Sequence, residues 1–354
     1  LGTESIITSM LAAKNLGLKR NIKVPEVICS LAAHAAFDKA ATIFGLKLVR
    51  LELNDQYTLD INLVRKNINE NTICLVGSAI DFPHGLEDDI KELSDLALKH
   101  NLLLHVDACM GGFLSAFHHE FNKSWKPADF LLPGVTCISC DVHKYGLTPK
   151  GASIIMFRDK SIQNLINFGM VGTDGLYTTS SFACARPPSF IAASLMVLVH
   201  VGKKAYIDQA KRIHNVLTQL KKDFKTNLPR LEILGNPQVS IFAFKGEKCT
   251  QIQNEMKKRG WAMNIVNNPI AIAFCITGAN VKSFEDGSFM KALKECYTLC
   301  YEKNITSQGG LAALYGVAAL LPEDVVTSNM DIAINCFLDT KEHVVSLMEN
   351  KDGK

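Results

Sequence analysis

The chain has 354 residues, 47% of them hydrophobic, with 38 basic and 35 acidic side chains and a formal net charge of +3. That apolar content can build a large core, expected as one large domain and one smaller one. The balanced charge is dispersed along the chain, which argues against a nucleic-acid surface.

In chain order, Ile6 to Leu16 reads as a helix, with Gly2-Thr3-Glu4-Ser5 at its start. Short β-rich runs follow at Glu26 to Cys29, Lys47 to Leu51 and Thr72 to Ser78. Three more lie at Leu102 to Val106, Val135 to Cys140 and Ala152 to Phe157. Between the third and fourth runs, Glu87 to His100 places Ile90, Leu93, Leu96 and Ala97 on one helical face. Acids open that segment and Lys99-His100 close it, as the helix dipole favours. Repeated strand–helix–strand units of this length imply a mostly parallel α/β sheet with helices on both faces.

From about Lys203 the texture changes. An amphipathic helix over Lys203 to Phe224 leads into a strand-like stretch, Leu231 to Phe244, around Gly235-Asn236-Pro237. A helix at Thr250 to Arg259, a strand near Ile270 to Thr277 and a helix near Ser288 to Glu302 complete a small α/β region. The expected division is a large domain over 1–202, a small one over 203–348 and a tail over 349–354. The apolar stretches Phe190 to Val201 and Leu311 to Leu321 fall short of the roughly 20 residues a membrane span needs. No signal peptide is visible. The chain opens at Leu1, inside a motif, as expected of a piece of a longer protein.

Eleven cysteines over this length read as reduced thiols. Cys137 and Cys140 have CxxC spacing, but on a strand their side chains point to opposite faces, and no second pair exists to complete a zinc site. Cys296 and Cys300 lie one helical turn apart and read as packing.

Two residues carry the chemistry. Lys144 sits in Asp141-Val142-His143-Lys144-Tyr145-Gly146, just past one strand, and Asp107 ends another. In parallel α/β sheets ligands gather beyond the carboxyl ends of the strands. A primary amine can form a Schiff base with an aldehyde, and a buried carboxylate needs a cationic partner. Pyridoxal 5′-phosphate (PLP) answers both needs, with its aldehyde and its protonated pyridine nitrogen. No metal is implied.

The chain resembles the sphingosine-1-phosphate lyase branch of the fold-type-I PLP enzymes, the group that includes the group II amino-acid decarboxylases. The resemblance is carried by His34-Ala35-Ala36-Phe37, Phe82-Pro83-His84-Gly85, His105-Val106-Asp107-Ala108-Cys109 and Asp141 to Gly146. Pro149-Lys150-Gly151, Gly235 to Ser240 and Ala313-Leu314-Tyr315-Gly316 add to it. His-Lys-Tyr-Gly, where the decarboxylases carry His-Lys-Trp, points to the lyase branch.

The resemblance implies Lys144 as the Schiff-base lysine and Asp107 as the partner of the ring nitrogen. It implies His34 stacked on one ring face, Ala108 against the other and Ser78 close by. His143, Gly2 and Thr3 would contact the cofactor phosphate, the last two at a helix start whose amides suit an anion; plain capping by Thr3 or Ser5 is the alternative. Lys150 would serve catalysis or the substrate phosphate. The implied reaction is cleavage of a phosphorylated sphingoid base, with a homodimer and an endoplasmic reticulum membrane address through an N-terminal anchor. Two segments depart from the family: Met170 to Tyr177, which lacks a tryptophan, and Cys184-Ala185-Arg186-Pro187-Pro188, where proline replaces glycine and removes an amide donor. An amino-acid decarboxylase and a non-catalytic paralogue are the alternative readings.

Overall fold

The structure is a computed structural model and describes residues 2–182 and 185–303. In chain order its first part runs α1 (Gly2–Lys19), β1 (Glu26–Ser30), α2 (Ala36–Phe44), β2 (Lys47–Leu51), α3 (Ile61–Asn67) and β3 (Thr72–Ser78). It continues with α4 (Ile90–His100), β4 (Leu103–Asp107), α5 (Gly112–Ser115), β5 (Cys137–Cys140) and β6 (Ile154–Phe157). The six strands form one sheet in the order β2-β1-β3-β4-β5-β6. The first five are parallel, and β6 closes the edge antiparallel to β5.

Alternation along the strands sorts their side chains into two cores. Ile28, Leu75, Leu104, Val106 and Ile138 join Ile90 and Leu93 of α4 on one face. Val27, Cys29, Ile73 and Leu103 join Ile6 and Met10 of α1 and Phe37 of α2 on the other. The sheet is therefore covered on both sides, which is why its strands are apolar in runs.

The helix expected from Glu87 begins at Ile90. Two of the three acids before it are anchors: Asp88 accepts from the amides of Leu59 and Ser78, both at 2.8 Å, and Asp89 caps the helix through the Glu92 amide at 3.1 Å.

The chain goes on through α6 (Lys160–Gln163), the hairpin β7 (Phe168–Gly172) and β8 (Gly175–Thr179), and α7 (Pro188–Asn227). After these come β9 (Glu232–Ile233), β10 (Ile241–Lys245), α8 (Cys249–Lys258), β11 (Asn264–Val266), β12 (Ala271–Cys275), α9 (Val281–Glu285) and α10 (Ser288–Tyr301). Strands β11-β12-β10-β9 form an antiparallel sheet whose core is aromatic, with Phe242, Phe244, Phe274 and Phe289 packed together. The stretch from Leu231 to Phe244 is thus two strands, broken where Gly235 turns with φ +56°.

Within α7, an 18-residue window reaches a mean hydropathy of 1.4, long and apolar enough by composition to cross a membrane, with only 6% of it buried. This exceeds what the sequence reading allowed. Gly202, at φ 70° and ψ 160°, breaks the element into two helices. The first leg, over 188–201, rises roughly 21 Å at about 1.5 Å per residue, against about 30 Å of hydrocarbon. The change of texture expected at Lys203 falls directly after this break. The motif at 313–316 and the tail lie outside the described residues.

Candidate active site

Lys144 lies in the loop that leaves β5, and each neighbour in that loop is pinned. The backbone amide and Nδ1 of His143 both meet the Ala152 carbonyl, at 3.1 and 2.6 Å. The buried Tyr145 hydroxyl donates to the Ile276 carbonyl at 3.0 Å, and Tyr206 donates to the Gly146 carbonyl at 2.7 Å. Lys144 itself is only partly covered, its side chain 30% exposed, and its Nζ sits 2.9 Å from Asp141 Oδ2. Asp141 is buried; its Oδ2 also lies 4.0 Å from His143 Nε2, and among the described residues its Oδ1 has no hydrogen-bond partner.

The start of α1 arrives at the same carboxylate. A Cβ on Gly2 would fall 2.6 Å from both Asp141 oxygens, so only glycine fits there. Ser5 of α1 is tied to Ser153 at 2.9 Å, and Ser153 Oγ reaches the Cys140 carbonyl at 3.3 Å. A helix N-terminus, whose first amides lack helical partners, is thereby set beside the lysine loop.

Strand register supplies the second half of the site. Ser78 pairs with Asp107, and Asp107 with Ser139, so three polar residues stand in a row at the carboxyl ends of β3, β4 and β5. Asp107 is buried, and its Oδ1 accepts from the Cys109 amide at 3.1 Å and the Ser139 hydroxyl at 3.2 Å. His105, two residues back on the same face, meets Ser139 Oγ at 3.1 Å and Cys137 Sγ at 3.3 Å. Complete burial pushes the His105 imidazole down to about 4, against the opposing pull of Asp107. Cys109 lies within reach of Asp107 and Asp141, and Cys140 within reach of both acids and Lys144, so one locality holds the amine and the carboxylates. Burial is the main cause that raises both thiols, Cys140 to about 12.

The remaining candidates fall in different places. His34 is exposed in the loop between β1 and α2, with Nδ1 accepting from the Ala36 amide at 3.0 Å. Thr3 stands in the first turn of α1. Ser78 is buried, with its amide held by Asp88. Lys150 is exposed at the turn between Pro149 and Gly151.

Ala108 points away from Asp107. It joins the core on the α4 face and lines a pocket of about 360 Å³ with Ala79, Ile138 and Cys140. Alternation puts Cys109 on the Asp107 side, so Cys109, Ser139, His105 and Asp141 are the site residues that sequence reasoning missed. The signal was available for His105 and Cys109, each offset by two residues from Asp107.

Of the departing segments, the first is the β7–β8 hairpin, with Met170, Val171 and Leu176 exposed. In the second, Arg186 pairs with Glu4 in the first turn of α1, while Cys184 lies outside the described residues.

A partly exposed amine, a buried carboxylate on the neighbouring strand, an imidazole and a glycine-opened helix start together make a donor set that fits PLP. The fold and this donor set are of the PLP-binding, mostly parallel α/β class. Residues 3–247 match the pyridoxal-dependent decarboxylase conserved domain, and the chain belongs to that family, whose cofactor is PLP.

Within the family the chain is similar to sphingosine-1-phosphate lyase 1 of Mus musculus, at 36% identity over 346 residues, 96% of this chain and 60% of that protein. It is 39% identical over 327 residues to the sphingosine-1-phosphate lyase of Saccharomyces cerevisiae, 90% of this chain and 55% of that one. The solved sphingosine-1-phosphate lyase of Burkholderia pseudomallei superposes with a TM-score of 0.79 at 34% identity, covering 83% of this chain and 68% of the other. The chain thus spans 60% and 55% of the length of the mouse and yeast relatives.

Proposed function

We propose that the protein is a PLP-dependent aldehyde-lyase that cleaves the C2–C3 bond of phosphorylated sphingoid bases to a long-chain aldehyde and phosphoethanolamine. The observation that carries this reading is the meeting of the Lys144 loop, Asp107 and the start of α1 at the carboxyl ends of the parallel strands, in a chain 36% and 39% identical to two such lyases. When bound, PLP supplies an electron sink for the pair released as the substrate bond breaks.

The chain's own residues do the rest. Lys144 provides the amine that anchors the cofactor aldehyde, and Asp141 holds that amine in place at 2.9 Å until it is used. Asp107 would hold the ring nitrogen and keep it protonated. His34 would pack on the ring. Gly2, Thr3 and His143 would hold the cofactor phosphate, with Ser78 close by. Lys144 and Lys150 are the two amines that could take the proton of the C3 hydroxyl. Lys150, exposed near the site loop, also suits the substrate phosphate.

The exposed apolar side chains of the β7–β8 hairpin and of Ile191, Leu195 and Val199 support a homodimer, because a patch of this kind on a folded surface marks an interface. We place the domain boundary at Gly202 and Lys203, and the full-length protein at the endoplasmic reticulum membrane by its resemblance to eukaryotic lyases.

The test is release of long-chain aldehyde from a phosphorylated sphingoid base by the PLP-loaded protein, with Lys144→Ala as control. Carbon dioxide from an amino acid in place of aldehyde would replace the lyase with a decarboxylase. Neither product, with no absorbance band above the protein's own, would leave a non-catalytic chain.

A further inference from the structure

We propose that Ser139 and His105 are positioning residues that aim Asp107 at the cofactor through a one-way chain of hydrogen bonds, Cys137 to His105 to Ser139 to Asp107. This rests on the cofactor site proposed above.

The direction of the chain follows from counting donors. A carboxylate only accepts, so the single hydroxyl hydrogen of Ser139 goes to Asp107 Oδ1, at 3.2 Å. The Ser139 oxygen must then accept from His105 Nε2, at 3.1 Å, which places the imidazole proton on Nε2. Burial keeps His105 neutral, its value about 4, so Nδ1 is bare and accepts from the Cys137 thiol at 3.3 Å. That thiol, pushed by burial up to about 12, keeps its hydrogen. The second acceptor position of Ser139 is met by the Cys109 thiol at 3.4 Å, and the Cys109 amide adds a second donor to Oδ1 at 3.1 Å.

The protons of Cys137, His105 and Ser139 each have one consistent place, while the Cys109 thiol faces both Ser139 and Asp107. An isolated serine hydroxyl rotates among several partners, but two donors pointing into its oxygen leave it one direction in which to donate. Phe37, edge-on to His105 with ring centroids 5.7 Å apart, seals the network from the α2 side. The carboxylate thus has Oδ1 committed to the protein.

Nitrogen-15 NMR of histidine-labelled protein without cofactor tests the network by itself. His105 is expected as the neutral Nε2–H tautomer from pH 6 to 8. An Nδ1–H tautomer, or titration near 6.5, would overturn the chain. Equilibrium dialysis then reads its effect on the holoenzyme. Ser139→Ala and His105→Phe should each weaken PLP retention by about tenfold, the scale at which outer groups orient a bound centre. The double variant should be no weaker than either single one, because both break the same chain. Additive losses, or retention equal to wild type, would count against positioning. A wild-type protein with the Nε2–H tautomer but no PLP uptake would instead remove the cofactor site and leave the network as packing.

Discussion

Two surfaces of this molecule contrast sharply. At the carboxyl ends of β3 to β5, polar side chains are buried and tied to partners: Asp107 to Ser139 and Cys109, and Asp141 to Lys144. On the β7–β8 hairpin and the first leg of α7, apolar side chains are exposed, with Val171 at 80% and Val199 at 70%. Each breaks the ordinary rule of apolar inside and polar outside, in opposite senses. Buried polarity costs stability unless it is satisfied, and it is kept where chemistry needs orientation. Exposed apolar surface costs little in the fold itself, and it is kept where another surface covers it.

The contrast can be broken most severely at Lys144. Lys144→Ala should abolish aldehyde release, by roughly three orders of magnitude or more, while leaving the fold intact, because the side chain is partly exposed. Aldehyde assay and thermal melting together check this.

A pH effect of about 3 kcal/mol is expected next, from the buried row. The His105 value of about 4 lies below the ordinary 6.5, because burial disfavours the cation. Between those two values the unfolded chain binds a proton that the folded chain refuses. Stability should therefore fall as pH drops from about 6.5 to 4, by up to about 1.4 kcal/mol per unit. The measurement is the difference in unfolding free energy between wild type and His105→Gln across that range. The difference removes the opposite slope of Glu87 and Asp88, which burial raises to about 8 and about 6.

Gly2→Ala should cost about 2 kcal/mol, since its Cβ would enter the Asp141 carboxylate and the start of α1 must shift. Weaker PLP retention, measured by dialysis, is the expected companion. Unchanged retention would separate α1 from the site.

The smallest effect on the fold belongs to the other surface. Val171→Asp with Leu195→Lys should change unfolding free energy by no more than about 0.5 kcal/mol. Light scattering should nevertheless show a dimer turned into a monomer. If the mass does not change, that face has another occupant.

The strand–helix alternation, the amine at Lys144 and the acid at Asp107 were all legible in the sequence, because period and strand-end position are local properties of the chain. The family patterns around His34, His84 and Lys144 were equally local. Cross-strand register is not local: Ser139 and His105 reach Asp107 only because β4 and β5 pair as His105 with Cys137 and Asp107 with Ser139. The same holds for Asp141, which matters because α1, more than a hundred residues earlier, abuts it at Gly2. The face of Ala108, the break at Gly202 and the late start of α4 at Ile90 were likewise settled by packing. Sequence periodicity says that a face exists; only the assembled sheet says what that face meets.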